Sequence, residues 1–125
     1  MENESDPLTG AVIGAAIEVH RLMGPGLLES VYQLCLCHEL ELRGIPFRSM
    51  VKLPVHYKGL ALGDDLIVDI IVEDLLILEL KSVERILGVH EAQLLTYLRL
   101  SGIRLGLLMN CNVKYLKDGI HRRIL

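Results

Sequence analysis

The sequence predicts an α/β (α+β) fold in which one mixed sheet is flanked by helices, and three observations carry that prediction. Apolar residues recur at three- and four-residue steps over the first third of the chain. The pattern then changes to short aliphatic runs with turn residues between them, the signature of strands. Helical spacing returns once more before a final apolar run, giving the order α-α-β-β-β-α-β with one more short strand at the end. Three meandering strands followed by a helical crossover to a further strand make a mixed sheet with helices against it. At 125 residues the chain can bury one core but not two, so residues 1–125 read as a single domain, with 1–7 as a flexible tail.

The first helix spans residues 8–23, where Leu8, Val12, Ala15, Ala16, Val19, Leu22 and Met23 recur at helical steps. Gly24-Pro25-Gly26 breaks it. A second helix runs from about Leu27 to Arg43, with Leu28, Val31, Cys35 and Leu42 on one arc and Gly44 closing it. From Phe47 to Tyr57 the chain reads as a strand whose Pro54 suits an edge position or a bulge better than a sheet centre. Lys58-Gly59 is a turn. The second strand covers about Leu60 to Val72, interrupted near Gly63-Asp64-Asp65, and the third covers Leu75 to Ser82. Residues 89–101 form the crossover helix through Ala92, Leu95, Leu98 and Leu100. Ile103 to Met109 is a buried strand and Gly119 to Leu125 a short last one.

Composition narrows the function classes. Hydrophobic residues make up 51% of the chain, yet there is no Trp and one Phe, so Leu, Ile and Val must fill the core. No apolar stretch approaches the roughly 18 residues of a membrane span. The start, Met1-Glu2-Asn3-Glu4-Ser5-Asp6-Pro7, is acidic where a secretory signal is basic and then apolar, so a soluble cytoplasmic protein with no membrane partner is expected. Cys35, Cys37 and Cys111 are an odd set without framework spacing, which fits a reducing compartment. Cys35-x-Cys37-His38 does not read as a zinc site, because helix residues two apart diverge by about 200°. So apolar a small chain is also compatible with a homodimer.

Net charge is −3, which alone argues against a protein that coats nucleic acid. The distribution is uneven: residues 1–80 hold 5 Lys/Arg against 13 Asp/Glu, whereas residues 81–125 hold 8 against 3. A basic C-terminal third beside an acidic cluster suits a polyanion held in one region and approaching a metal in another. Solvated surface charge is the simpler account of the same numbers.

The most informative residues lie in Leu75-Leu76-Ile77-Leu78-Glu79-Leu80-Lys81. Strand residues two apart point to the same face, so Glu79 and Lys81 project together from an almost wholly aliphatic run. Asp69 sits in the preceding run Ile67-Val68-Asp69-Ile70-Ile71-Val72. An isolated buried carboxylate is costly unless it is paired or binds a metal. Carboxylates are the hard ligands that Mg²⁺ or Mn²⁺ requires, and a lysine beside them can orient water or offset phosphoryl charge, as in a metal-dependent phosphodiesterase. The spacing equally allows a Glu79–Lys81 surface pair on an edge strand with Asp69 in a turn. For Asp69 and Glu79 to share a face, their residue numbers must pair to a sum of 148, which demands a three-residue connection or a β-bulge. A two-residue turn at Glu73-Asp74 would put the acids on opposite faces.

Glu29 and the pair Gln93 and Tyr97 are weaker candidates. With Gly26 as N-cap, Glu29 occupies the third helical position, where a Glu caps backbone amides. Gln93 and Tyr97 are four apart on the crossover helix, share a face, and can hydrogen-bond phosphate or metal-bound water, with His90 and Arg99 adding polar capacity nearby. An amphipathic helix contacting a neighbouring loop explains that pair as well.

The segment Gly26-Leu27-Leu28-Glu29-Ser30-Val31-Tyr32 resembles the signature of the bacterial GxxExxY proteins. The likeness continues through Ile17-Glu18-Val19-His20, Leu53-Pro54-Val55, Glu79-Leu80-Lys81 and His90-Glu91-Ala92-Gln93-Leu94-Leu95-Thr96-Tyr97-Leu98. That family resembles a compact branch of the PD-(D/E)xK nuclease superfamily, with an αβββαβ core. The resemblance implies a nuclease-like protein acting on nucleic acid, DNA first, with Mg²⁺ or Mn²⁺ as cofactor. It assigns Asp69 as the first acid, Glu79 and Lys81 as the E-x-K, Glu29 as an acid from the preceding helix, and Gln93 with Tyr97 as a Q-x-x-x-Y element. The implied metal ligands are Glu29, Asp69 and Glu79. Family members usually carry an aromatic and an Arg shortly before the first acid, where this chain has Leu66 and Ile67. The loss of that cation leaves a second reading in view: a non-catalytic module that keeps the fold and binds nucleic acid or a protein partner.

Overall fold

The computed structural model describes residues 6–63 and 65–125. Helix α1 (Pro7–Met23) starts where the Asp6 carboxylate accepts hydrogen bonds from the Leu8 N–H at 3.1 Å and the Thr9 hydroxyl at 2.9 Å. Pro7 follows at the first helical position, where its missing N–H costs nothing. Asp6 and Pro7 therefore belong to the helix start rather than to the expected tail, and residues 1–5 lie outside the described residues.

Helix α2 (Glu29–Leu42) begins two residues later than the sequence suggests. Gly26 is not its cap: at φ +98° it lies in the left-handed region, whereas a cap residue is extended. Leu28 takes the capping position without a side-chain hydrogen bond, and Glu29 becomes the first helical residue.

The strands are β1 (Phe47–Leu53), the short hairpin β2 (His56–Tyr57) and β3 (Leu60–Ala61), then β4 (Leu66–Val72) and β5 (Leu76–Lys81). Helix α3 (Gly88–Ser101) crosses over to β6 (Leu105–Asn110), and a 3₁₀ turn at Leu116–Gly119 leads to β7 (Ile120–Ile124). The main sheet has the order β1-β4-β5-β6-β7, with β5 and β6 the parallel pair that the helical crossover requires. Pro54 follows β1, which is an edge strand; β3 and β4 are separate strands on either side of the break expected near Gly63-Asp64-Asp65, of which Asp64 lies outside the described residues.

Helices α1 and α2 cover one face of the sheet, packing Val12, Ala15, Tyr32, Leu36 and Leu40 against Ile70, Leu78 and Leu107. Helix α3 covers the other, packing Leu94, Tyr97 and Leu98 against Ile71, Ile77 and Leu108. It comes close because β6 carries Gly106; a Cβ there would lie 2.7 Å from Leu94 Cδ1.

Two details position the site. The β4–β5 connection has three residues, Glu73-Asp74-Leu75, and pairs Ile70 with Leu78, Ile71 with Ile77 and Val72 with Leu76. Those pairs have the register that sets Asp69 opposite Glu79, as the acids require. The second detail is a slip in alternation on β1 and β4. The register is the same on both sides of it, Ser49 with Ile70 and Val51 with Val68, but the Met50–Asp69 step is missing and Met50 has φ +52°. Ile70 packs on the α1/α2 side and Val68, two residues away, on the α3 side. Regular pleating forbids that switch, so Asp69 is where the strand changes face.

Candidate active site

Beyond Ile70 and Leu78 the β4–β5 ladder passes from backbone to side chains. The Asp69 N–H donates to Glu79 Oε1 at 3.0 Å, and the Leu80 N–H donates to Asp69 Oδ2 at 2.8 Å. Each carboxylate thus accepts a backbone N–H from the opposite strand, and the two are held facing each other. Helix α2 holds the same point from its side: Gln33 Nε2 donates to the Asp69 carbonyl at 3.0 Å and lies 3.2 Å from Met50 Sδ. Gln33 therefore occupies the gap left by the missing ladder step.

The electrostatics of the pair are unfavourable without a cation. Glu79 is 3% exposed. Burial, and then the like charge of Asp69, push its carboxyl up to about 8 from an ordinary 4.5. Burial also raises Asp69, with Glu29 adding to the rise and the Leu80 N–H and Lys81 opposing it. Among the described residues neither Asp69 nor Glu79 forms an ion pair. Lys81 Nζ instead donates to Gln93 Oε1 at 2.9 Å, and Gln93 Nε2 donates to the Tyr97 hydroxyl at 3.0 Å. Burial raises the Tyr97 phenol, and the Glu79 charge raises it further. Gln93 and Tyr97 thus form a chain from α3 that fixes the head of Lys81.

Glu29 reaches the site from the start of α2. Its Oε2 accepts the Ser82 N–H at 3.2 Å, and the Ser82 hydroxyl donates to the Leu27 carbonyl at 2.8 Å. An opening of about 350 Å³ lies here, lined by Leu27, Leu28, Glu29, Ser30 and Ser82. The preceding loop is pinned by Tyr32, whose hydroxyl donates to the Gly24 carbonyl and accepts the Leu27 N–H at 3.2 Å. That gives the Gly26, Glu29 and Tyr32 spacing a physical sense: a turn in the left-handed region, an acid at the site, and a buried phenol that ties the turn down.

Among the described residues no group of three or more His, Cys, Asp or Glu side chains is close enough to enclose an ion. Asp69 and Glu79 nevertheless suit a hard cation: one half-buried and one buried carboxylate on adjacent strands, with no counter-charge bonded to them among the described residues. Mg²⁺ is commonly held by one or two carboxylates, with water and substrate phosphate completing its shell.

The sequence reading missed Gln33, Ser82 and Asn110. Gln33 is four residues after Glu29 and shares its helix face, a spacing that could have flagged it. Asn110, 3% exposed, clasps the Val83 peptide, donating to its carbonyl at 2.9 Å and accepting its N–H at 3.2 Å. The neighbouring Cys111 N–H donates to the Lys81 carbonyl at 2.8 Å. Two expected contributors are used elsewhere. His90 Nδ1 accepts the Leu87 N–H at 2.9 Å to start α3, and Arg99 contacts Thr96 at 3.3 Å. Leu66 is half-buried on the α3 side and Ile67 is 42% exposed, so neither supplies charge before Asp69.

A family model for the PD-(D/E)XK nuclease superfamily matches residues 6–123, and the chain belongs to that superfamily. Comparison with curated proteins and with solved structures finds no match. Among the described residues no helix is long and apolar enough to cross a membrane.

Proposed function

We propose that the protein is a nuclease of the GxxExxY type that hydrolyses phosphodiester bonds of DNA or RNA with Mg²⁺ or Mn²⁺. The observation that carries this is the Asp69–Glu79 pair, a half-buried and a buried carboxylate opposed across β4 and β5, with Lys81 two residues beyond Glu79. Asp69 and Glu79 would hold the cation, with Glu29 contributing from the opening at the start of α2. Bound there, the cation supplies Lewis acidity toward a phosphoryl oxygen and lowers the pKa of a water. Lys81 orients the attacking water and offsets charge that develops on the phosphorane. Gln93 keeps the Lys81 ammonium at one position, and Tyr97 keeps Gln93 there. Free Cys35, Cys37 and Cys111 fit a reducing cytoplasm.

Leu66 and Ile67 favour a second reading, a module of the same fold that binds nucleic acid or a protein partner without turnover, because no cation stands before Asp69 to hold a phosphate. Calorimetric titration of Mn²⁺ tests the metal site that the nuclease reading needs. Wild type should bind Mn²⁺ and Asp69→Ala should not. Equal heats from both proteins would remove the site.

A further inference from the structure

A second concave region borders the Gly24 end of the Gly24–Leu27 loop. It is a groove of about 490 Å³, lined by Ile17, His20, Arg21 and Gly24 on one side and by Lys114, Tyr115, Leu116 and Lys117 on the other. Its charge is opposite to that of the acidic pair. Arg21, Lys114 and Lys117 bring three cations to it, of which Arg21 is paired with Glu18 at 2.9 Å. Lys114 and Lys117 form no ion pair among the described residues. Lys114 Nζ stands 5.4 Å from the centre of the Tyr115 ring, which is 58% exposed. His20 is 6% exposed, and its Nε2 is buried without a hydrogen-bond partner.

Both walls of the groove are tied to the site through the chain and its hydrogen bonds. The first continues from Gly24 through Leu27 to Glu29, held by the Tyr32 hydroxyl and by Ser82. The second leaves β6 at Asn110, which clasps Val83, and Cys111, bonded to the Lys81 carbonyl, before it reaches Lys114. The opening lined by Leu27, Leu28, Glu29, Ser30 and Ser82 lies between the groove and the acids in chain order.

We infer that this groove is an exosite for single-stranded nucleic acid, binding the strand by phosphate contacts to Lys114 and Lys117 and by a base stacked on Tyr115, and leading it toward the acids from the Glu29 side. The inference rests on the nuclease reading for what happens downstream, but binding itself needs neither metal nor cleavage. A single strand is favoured because the groove combines cations with one exposed aromatic face, the pairing that holds unstacked bases without reading their sequence.

The test is fluorescence anisotropy of a labelled dT oligonucleotide with EDTA present, using wild type, Asp69→Asn, Tyr115→Ala and the double variant Lys114→Glu/Lys117→Glu. These groove positions are on the surface, and the circular dichroism of each variant should match wild type. Asp69→Asn should keep the binding and bind at least as tightly as wild type, because it removes a negative charge from the end of the strand's path. Tyr115→Ala should bind about tenfold more weakly. The double variant should bind at least tenfold more weakly, with a log–log salt slope smaller by about 1.4, the value for two single-strand phosphate contacts. Unlabelled oligonucleotide should displace the probe at far lower concentration than dTMP. Unchanged binding in the double variant overturns the exosite, and so does displacement by dTMP as effective as by the oligonucleotide. Cleavage separates the two proposals. Cleavage by wild type and the double variant with equal KM would sink the exosite and keep the nuclease, whereas Lys114/Lys117-dependent binding without any cleavage would do the reverse.

Discussion

Replacing Glu79 by Gln isolates the cost of burying this carboxylate. In the folded protein Glu79 loses its proton at about 8, while the unfolded chain loses it near the ordinary 4.5. Between those values the native state holds a proton that the unfolded state has released, so stability must fall as pH rises from about 4.5 to about 8. At pH 7 the gap corresponds to about 3 kcal/mol as an upper estimate, at roughly 1.4 kcal/mol per pKa unit. Glu79→Gln keeps an oxygen to accept the Asp69 N–H and has no proton to lose. The metal-free variant should therefore match wild type near pH 5 and exceed it at pH 7.5, by a Tm difference of about 10 °C. Saturating Mn²⁺ should reverse the order, because it stabilises only a protein that still binds it. The assay is thermal denaturation from pH 5 to 8 in EDTA and again with Mn²⁺. Parallel pH profiles for the two proteins in EDTA would refute the reasoning, since Glu79 would then titrate no differently in the fold than in the unfolded chain.

Two further substitutions test the frame around the acids. Glu29→Gln keeps an acceptor for the Ser82 N–H, so Tm should stay within about 2 °C of wild type while Mn²⁺ affinity falls several-fold in calorimetry. An unchanged affinity would return Glu29 to a purely structural part. Tyr32→Phe leaves the Gly24 carbonyl and Leu27 N–H without their partner, at a cost of about 1–3 kcal/mol, visible as a lower urea midpoint. A midpoint equal to wild type would show that the loop does not depend on the phenol.

Much of this arrangement was readable from residue order. The aliphatic runs around Asp69 and Glu79 mark two adjacent strands, and for the acids to share a face period-2 geometry required a three-residue connection or a bulge, of which the structure contains the connection, Glu73-Asp74-Leu75. Glu79 and Lys81 share a face for the same reason, and the i, i+4 spacing of Gln93 and Tyr97 put them side by side. What escaped reading depends on backbone conformations that residue type does not announce. Met50 at φ +52° is the clearest case, because an unbranched apolar residue carries no signal for the left-handed region. Its slip moves Asp69 out of regular alternation and creates the gap that Gln33 fills. The start of α2 was misplaced because Gly26 looked like a cap, yet its positive φ serves the turn that Tyr32 pins. Asn110 was invisible for another reason: its partners, the Val83 peptide groups, are 27 residues away in sequence and meet it only when β6 lies parallel to β5.

The most direct measurement of the central claim is single-turnover cleavage of labelled single- and double-stranded DNA and RNA with Mg²⁺ or Mn²⁺, enzyme in excess, for wild type and Lys81→Met. In the proposed reaction, removing the ammonium takes away the group that would act on the water and the developing charge, while leaving the two carboxylates proposed to bind the ion. The account predicts metal-dependent cleavage of at least one substrate by wild type, and none by Lys81→Met despite Mn²⁺ binding that is equal or tighter. Identical background from the two proteins with every substrate and metal would contradict it and leave the non-catalytic module as the better description.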